Sequence, residues 1–307
     1  MSIQVSRLTK RYGRQLAVQD VTFSVKPGEI VGFLGPNGAG KSTTMKIITG
    51  YLPPTSGTAS VMDMDVVNHP MKVKRSIGYL GEHNPLYHDM FVHEYLNFAA
   101  SLCGLRSTQK RTRVSDMIGL CGLEAEQSKK INALSKGYRQ RIGLAQALIH
   151  DPAVLILDEP TSGLDPNQLI EIRKLIKAVS ANKTVLFSSH ILQEVKALCD
   201  RVLVIHHGSI VADDKLDNLM KGGDRTLTVA FMEDVNIDLL RQIPGVTSVK
   251  PDGRGKFLVM TSSDIDIRPR IVSWASANNL SLLEIKLEEH SLESVFSQLT
   301  QQETKGE

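Results

Sequence analysis

Residues 35–43 have the residue types and spacing of a phosphate-binding loop. The run reads Gly35-Pro36-Asn37-Gly38-Ala39-Gly40-Lys41-Ser42-Thr43 and fills every fixed position of the G-x-x-x-x-G-K-[ST] pattern. The glycines let backbone N–H groups turn toward a polyphosphate, and the start of a following helix adds a positive field. We predict that Lys41 reaches the β- and γ-phosphates of a nucleotide and that the Ser42 hydroxyl binds Mg²⁺.

Two acidic residues follow an apolar stretch further along the chain. Residues 154–159, Val-Leu-Ile-Leu-Asp-Glu, predict a buried strand that ends at the carboxyl edge of a parallel sheet, where α/β proteins bind ligands. Asp158 suits Mg²⁺ held through water, and Glu159 suits a general base for the attacking water. The alternative, that these acids cap a helix, is disfavoured because the loop 160–166 brings its own capping residues.

His190, Tyr12 and Glu82 are further candidates. His190 ends the apolar strand 184–189, so it is predicted to reach the same sheet edge and donate to a γ-phosphate oxygen. Tyr12 is expected on a polar turn at 10–13, where its ring could stack on a base or pack as a structural tyrosine. Glu82 follows a short strand and could give an oxygen to Mg²⁺, or be a solvated loop residue.

A second helix start also has anion-binding features. In Leu-Ser-Lys-Gly-Tyr-Arg-Gln-Arg, residues 134–141, Ser135 is placed to cap a helix and Gly137 to expose backbone N–H groups in the first turn. This stretch carries no phosphate-loop lysine pattern. It therefore predicts a second phosphate contact whose ligand the residues alone do not identify.

The elements that position these residues indicate an α/β domain. Residues 29–34 predict a buried strand before the phosphate loop, and residues 44–48 the helix after it. Residues 3–5 and 21–25 alternate like antiparallel strands, and from about residue 89 to 122 the apolar period changes to that of amphipathic helices. We therefore expect an antiparallel β-subdomain and a helical insertion within the α/β domain.

The tail after residue 225 reads as a separate small α+β domain. Its predicted order of elements is βαββαβ, which suggests a ferredoxin-like fold, followed by a last helix capped by Ser291 and running through Leu299. Trp274 is expected in its core. No charge cluster or ligand set appears in this tail, so we interpret it as an accessory packing or regulatory domain.

Composition limits the classes of function. With 36 Lys+Arg and 33 Asp+Glu the formal net charge is only +3, which gives no reason to expect nucleic acid as a partner. Cys103, Cys121 and Cys199 lack metal-ligand spacing and lie among apolar residues, so we expect reduced core thiols. No apolar run approaches the length of a membrane span, so contact with a membrane is expected to occur through a partner protein.

Taken in order, these residues resemble the ATP-binding subunit of an ABC transporter. The resemblance covers about the first 220 residues and rests on seven ordered elements: Tyr12, GPNGAGKST, Glu82, LSKGY, LILDE, SGLD and His190. The stretch 77–87, Ile-Gly-Tyr-Leu-Gly-Glu-His-Asn-Pro-Leu-Tyr, together with LSKGYRQR, further resembles export-type subunits of the gliding-motility class. The implied fold is a P-loop NTPase domain.

The resemblance implies a partner for the second phosphate contact. In this family two ATP-binding subunits close head to tail, which would place Ser135 and Gly137 on the γ-phosphate bound by the other subunit, either a second copy or a related ATPase. Asp165 would contact the opposite subunit at the interface. Two departures stand out: Glu82 replaces the family's common glutamine, and Lys136 and Tyr138 replace a glycine and a glutamine of the LSGGQ signature.

The sequence as a whole predicts an ATPase that binds ATP and Mg²⁺ and powers a separate integral membrane permease. We expect an ATP-binding domain over 1–220, with its helical subdomain at about 83–150, and an accessory domain over 225–300. The permease is expected to dock near residues 84–90, which would hold the subunit on the cytoplasmic face of the cell membrane. A soluble ABC-type ATPase acting on ribosomes or DNA is the main alternative, and a nucleotide sensor without catalysis is another.

Overall fold

The computed structural model describes residues 1–221, 225–253, 255–261 and 266–288. The chain forms two compact units, Met1–Asp214 and Lys215–Glu307. The predicted domain bounds of 1–220 and 225–300 stay predictions. The predicted last helix, from Ser291 through Leu299, lies outside the described residues.

The first unit alternates strands and helices, as the sequence predicts for an α/β domain. In chain order its elements are β1 (Ile3–Tyr12), β2 (Gln15–Val25), β3 (Ile30–Leu34), α1 (Lys41–Ile48), β4 (Ser56–Val61), β5 (Met64–Asp65), α2 (Pro70–Ser76), β6 (Ile77–Leu80), α3 (Val92–Leu102), α4 (Ser107–Leu120), a 3₁₀ turn (Ile131–Ala133), α5 (Lys136–Leu148), β7 (Val154–Asp158), α6 (Pro166–Ser180), β8 (Thr184–Ser189), α7 (Leu192–Leu198), β9 (Arg201–His206) and β10 (Ser209–Lys215).

A six-stranded sheet in the order β10-β9-β3-β8-β7-β6 carries the chemistry. The neighbours β9/β3, β3/β8, β8/β7 and β7/β6 run parallel, which explains why β7 and β8 are buried at every position and read as apolar runs in the sequence. Because parallel strands end at one edge, the loops after β3, β7 and β8 lie together.

A second, antiparallel sheet in the order β2-β1-β4-β5 packs into the same core. Strands β1 and β2 are longer than the sequence analysis expects, and β1 continues to Tyr12, which pairs with Gln15. The expected turn over 10–13 is therefore wrong in its position. The turn is confined to Gly13 and Arg14, because cross-strand pairing extends the strands through their polar ends.

The helical insertion consists of α3, α4 and α5, where the change of apolar period predicts helices. Cys121 and Cys199 are buried as expected, but Cys103 is exposed, so its assignment as a core thiol is wrong. Cys103 lies at the end of α3, where the last turn projects beyond the packed face. Among the described helices, none is both long and apolar enough to cross a bilayer.

The second unit has the predicted order of elements. It contains α8 (Leu216–Lys221), β11 (Arg225–Phe231), α9 (Ile237–Arg241), β12 (Val246–Pro251), β13 (Lys256–Thr261), α10 (Arg268–Ala277) and β14 (Leu282–Glu288). Its antiparallel sheet has the order β12-β13-β11-β14. Trp274 is only partly buried and packs against the core of this unit, with its ring 6.1 Å from that of Phe231.

Candidate functional site

The loop between β3 and α1 folds around the amine of Lys41. Lys41 is 5% exposed, and its Nζ donates to the carbonyl oxygens of Gly35 at 2.7 Å and Pro36 at 3.2 Å. Gly40 caps α1 with a φ of 109°, and a Cβ there would lie 2.5 Å from the carbonyl oxygen of Ala17, so only glycine fits. Among the described residues no side chain caps α1, which leaves its first N–H groups available to an anion.

Glu159 lies between two of the other predicted site residues. Its Oε1 is 3.3 Å from Lys41 Nζ, and its Oε2 is 2.8 Å from Nδ1 of His190. Glu159 is 5% exposed and has a positive φ of 50°, an uncommon conformation for a residue with a side chain. The structure therefore holds a buried carboxylate against the phosphate-loop lysine at a strained point of the backbone.

Asp158 lies next to this carboxylate and contacts the serine of the phosphate loop. Its Oδ1 accepts hydrogen bonds from Ser42 Oγ at 3.1 Å and from Ser188 Oγ at 2.7 Å. The Ser188 hydroxyl also accepts from the backbone N–H of Glu159 at 2.9 Å. Strands β3, β7 and β8 thus bring Ser42, Asp158 and Glu159 together, as the sheet-edge argument predicts.

An open pocket of about 520 Å³ adjoins this cluster. It is lined by Tyr12, Gln15, Ala17, Asn37, Gly38, Gly40, Lys41, Ser42, Thr43, Glu82 and Glu159. Tyr12 is 45% exposed and Glu82 is on the loop after β6, so both weaker candidates lie at the phosphate loop. The pKa of Tyr79 is raised, mainly because the side chain is buried and to a smaller extent because of the negative charges of Asp158 and Glu82.

Two further residues of the phosphate loop, Gly35 and Ala39, pack closely within the protein and restrict the shape of the loop. A Cβ on Gly35 would collide with the carbonyl oxygen of Ile205, which fixes glycine at that position. Ala39 is buried, and its N–H donates to the carbonyl oxygen of Pro36 at 3.2 Å, which tightens the turn.

Ser135, Gly137 and Asp165 are placed apart from this pocket and do not appear among the described residues that line it. Ser135 caps α5, and its Oγ accepts from Tyr138 N at 3.4 Å. Asp165 caps α6, and its Oδ1 accepts from Gln168 N at 2.9 Å. A Cβ on Gly137 would lie 2.8 Å from the Gln168 side chain, so the two helix starts are neighbours.

Comparison with known proteins decides the family. The family model described as "ABC transporter" matches residues 18–162. The chain is 32% identical over 304 residues to the linearmycin resistance ATP-binding protein LnrL of Bacillus subtilis (strain 168), covering 97% of this chain and 98% of the relative. The chain belongs to the ABC transporter ATP-binding proteins. It is the ATP-binding, ATP-hydrolysing subunit of a transporter, and the P-loop fold expected from the sequence is confirmed.

Further relatives of this ABC ATPase support the assignment. The bacitracin transport ATP-binding protein BcrA of Bacillus licheniformis is 33% identical over 300 residues, covering 97% of this chain and 96% of that protein. A solved dimeric structure of the bacterial ABC transporter cassette MJ0796 has a TM-score of 0.64 and 27% identity, covering 70% of this chain and 98% of that one. Another structure of MJ0796, with 26% identity, is a post-hydrolysis dimer bound to ADP and Pi.

Sequence reasoning missed some residues of the site in this ABC ATPase. Ser188 bonds to both Asp158 and the backbone of Glu159, and Gln15 and Ala17 line the phosphate-loop pocket. The signal for Ser188 was a hydroxyl at the polar end of an apolar strand, directly beside the acid-bearing strand in the sheet. Gln15 and Ala17 follow Tyr12 across a tight hairpin, which a correct placement of that turn would have indicated.

Proposed function

We propose that this ABC ATPase closes as a dimer around two Mg·ATP and drives an export permease. The observation that carries the proposal is the contact of Glu159 with both Lys41 and His190, where Lys41 and Glu159 line the phosphate-loop pocket. In this proposal Lys41 and the loop N–H groups bind the β- and γ-phosphates of ATP, and Tyr12 stacks on the adenine.

Glu159 acts as the general base in the proposed mechanism. It accepts a proton from the water that attacks the γ-phosphorus, while the bond to the β-phosphate oxygen breaks and ADP leaves. With both ring nitrogens protonated, His190 donates through Nδ1 to the Glu159 carboxylate, which it orients, and through Nε2 to a γ-phosphate oxygen. The 2.8 Å contact between Glu159 Oε2 and His190 Nδ1 supports the pairing of these roles. Because Glu159 and His190 directly follow the adjacent parallel strands β7 and β8, the sheet brings the two side chains to the same edge.

The residues near Ser42 fit Mg²⁺. This ion prefers oxygen ligands and takes only one or two from the protein when phosphates supply others. Ser42 Oγ and Asp158 Oδ1 already lie 3.1 Å apart, and Glu82 lines the same pocket, so all three assigned ligands are oxygens at one place. When bound, Mg²⁺ would neutralise charge on the phosphates.

The proposed dimer uses residues at the starts of α5 and α6. Ser135 and Gly137 contact the γ-phosphate bound by the other subunit, and Asp165 contacts that subunit. Two features support it: both helix starts, of α5 and α6, are neighbours, and neither is among the described residues that line the chain's own pocket. The dimeric cassette MJ0796 shows that proteins of this fold pair. The second subunit would be a copy of this chain or a related ATPase.

The permease is proposed to dock on the helical insertion near residues 84–90. Tyr87 is 56% exposed there, and its ring lies 5.5 Å from that of Phe98 and 6.0 Å from that of Tyr95. A cavity of about 300 Å³ lined by these rings offers an apolar seat. Docking would hold the chain on the cytoplasmic face of the membrane, and no nucleic acid is required.

The direction of transport is proposed from the relatives. Their names refer to linearmycin resistance, bacitracin transport and, in one 37% identical relative, Nod factor export, so removal of a compound from the cell is favoured. The assignment to the gliding-motility class stays a prediction.

Affinity purification of the full chain from membranes should recover an integral membrane protein. Recovery with ribosomes or DNA, and no membrane protein, would favour the soluble alternative.

The role of Glu159 is tested with Glu159→Gln. This change keeps a hydrogen bond to His190 but removes the base, so hydrolysis should fall by about 10²–10⁴-fold while ATP still binds. Phosphate release measures the rate, and light scattering should show an ATP-dependent dimer that persists. Glu124→Gln, an exposed glutamate of the helical insertion, is the matched control and should behave as wild type. Near-normal turnover in Glu159→Gln would contradict the assignment.

A further inference from the structure

A second buried carboxylate lies behind the proposed catalytic pair. Glu194 is on α7 and is 1% exposed. Its Oε2 accepts two short hydrogen bonds, from Thr161 Oγ1 at 2.6 Å and from Ser189 Oγ at 2.7 Å. Thr161 lies in the turn after β7, and Ser189 is the last residue of β8.

Each donor belongs to a segment that carries a proposed catalytic residue. Thr161 is two residues after Glu159 in a tight turn, where Ser162 N donates to the Glu159 carbonyl oxygen at 3.1 Å. Ser189 directly precedes His190, and its Oγ also accepts from Ile191 N at 2.9 Å, which closes the turn around His190. One carboxylate oxygen therefore fixes the backbone on both sides of the Glu159–His190 contact.

A third segment meets the other oxygen of the same carboxylate. Nη2 of Arg173, on α6, is 3.7 Å from Glu194 Oε1, and α6 begins at the cap residue Asp165. Burying a carboxylate costs desolvation free energy, and stability alone is served equally well by an apolar side chain of similar volume. A charge at this place is better explained by a requirement for geometry than by a contribution to stability.

We propose that Glu194 is a positioning residue that sets the Glu159–His190 geometry through Thr161 and Ser189. Loss of either hydrogen bond lets one of the two segments shift, and a small shift of a base lowers the rate of the chemical step more than the binding of substrate. The inference rests on the proposed role of Glu159 as base.

Thr161→Val tests the proposal with little change of shape. We expect kcat for ATP hydrolysis to fall about tenfold, with KM within about twofold of wild type. Thr161→Ser keeps the hydroxyl and should restore kcat to within about twofold. Ser180→Ala is the matched control and should leave kcat unchanged, because Ser180 is likewise buried and donates a 2.6 Å hydrogen bond from its hydroxyl, in its case to the carbonyl oxygen of Ile176.

Coupling to His190 separates positioning from a merely structural role. If Thr161 acts through the Glu159–His190 pair, Thr161→Val should lower kcat by less than about threefold in a His190→Ala background. The proposal would be overturned if Thr161→Val lowered kcat by the same factor with His190 present and in the His190→Ala background. A normal kcat in folded Thr161→Val would also overturn it. Should Thr161→Val fail to fold, Ser189→Ala, which removes the other hydrogen bond, is measured in the same two backgrounds.

Failure of this inference is distinguishable from failure of the proposed function. If Glu159→Gln abolishes turnover but Thr161→Val does not lower kcat, Glu159 remains the base and only the positioning role of Glu194 is wrong. If Glu159→Gln turns over normally, the assignment of the base is wrong whatever the Thr161 variants do.

Discussion

The starts of α1 and α5 differ in how they are capped, although both were predicted to bind phosphate. At α1 the cap is Gly40, no described side chain bonds to it, and Lys41 lies inside the loop. At α5 the cap is Ser135, whose own hydroxyl accepts from Tyr138 N. The start of α1 therefore leaves its N–H groups available to an anion within one chain. At the start of α5, the side chain of Ser135 already accepts a hydrogen bond from a backbone N–H group of the helix.

The difference explains how one chain can have two phosphate contacts of unequal strength. The start of α1 combines free N–H groups, a lysine and a pocket, so it should bind nucleotide in the monomer. The hydrogen bond at Ser135 is 3.4 Å long, against 2.9 Å for the cap made by Asp165, so little is lost when the Ser135 hydroxyl turns to another acceptor. The start of α5 should therefore matter only once a second subunit presents its ATP.

The largest effect is expected from Lys41→Ala, which breaks the α1 side of the comparison. Removing the amine removes the positive charge that contacts the β- and γ-phosphates, so ATP affinity should fall by at least about 100-fold. Titration with a fluorescent ATP analogue measures the loss. Lys46→Ala, in the last turn of the same helix, is the control and should bind normally. Unchanged binding in Lys41→Ala would contradict the phosphate-loop role.

Lys41→Ala also leaves the Glu159 carboxylate without its buried cation. Since both side chains are almost fully buried, the variant should lose about 3 kcal/mol of unfolding free energy. Lys41→Ala combined with Glu159→Gln removes the unpaired charge, so stability should recover while ATP binding does not. Urea unfolding of the three variants measures this, and a double variant that regains ATP binding would show that instability alone explained the single change.

A smaller effect, confined to the dimer, is expected from Ser135→Ala. Hydrolysis should fall about 10–100-fold because a hydrogen bond to a charged phosphate is lost, while ATP binding to the monomer stays within about twofold. Dimerisation of Ser135→Ala in the Glu159→Gln background, followed by light scattering, measures the contact directly.

The control for Ser135→Ala must lose a helix cap without touching the site. Asn236 caps α9 in the second unit, where its side chain accepts from Asp238 N at 2.9 Å. Asn236→Ala should cost about 1 kcal/mol of stability, at least as much as Ser135→Ala, with no change in hydrolysis. If the two variants lower hydrolysis equally, the effect of Ser135→Ala comes from lost stability.

Much of the α1 site could be predicted from the sequence because its parts are local. The glycines, Lys41 and Ser42 act within nine residues. The strand before Glu159 is a plain apolar run, so the fold and the residues at the sheet edge follow from pattern and topology. The βαββαβ order of the second unit was likewise readable, since each short strand is bounded by turn residues.

What could not be predicted depends on contacts distant in the chain. Ser188 and Glu194 belong to the site only because parallel strands bring the segments after β7 and β8 together, and no motif marks either residue. Local propensity at 10–13 predicts a turn at Tyr12, but pairing with β2 extends the strand as far as this residue. Cys103 reads as apolar by period, yet it lies beyond the packed face of α3.

The smallest effect concerns the other end of α5, at His150. Its Nε2 lies 3.1 Å from the carbonyl oxygen of Ile77, and burial, assisted by the charges of Lys183 and Arg113, lowers the pKa of His150 despite that bond and nearby Asp151. The unfolded chain therefore takes up the proton first, so this contribution to stability is full above pH ~6.5 and declines as the pH falls below that value.

Replacing His150 tests whether acid affects the two helix starts differently. In His150→Gln, urea unfolding at pH 7.5 and 5.5 should differ less than in wild type, because the group that must stay neutral is gone. If α5 is the element weakened by acid, ATP-dependent dimerisation should decline before ATP binding at α1 in wild type, and this gap should narrow in the variant. An identical decline of binding and dimerisation in both proteins would show that the two sites do not differ in this way.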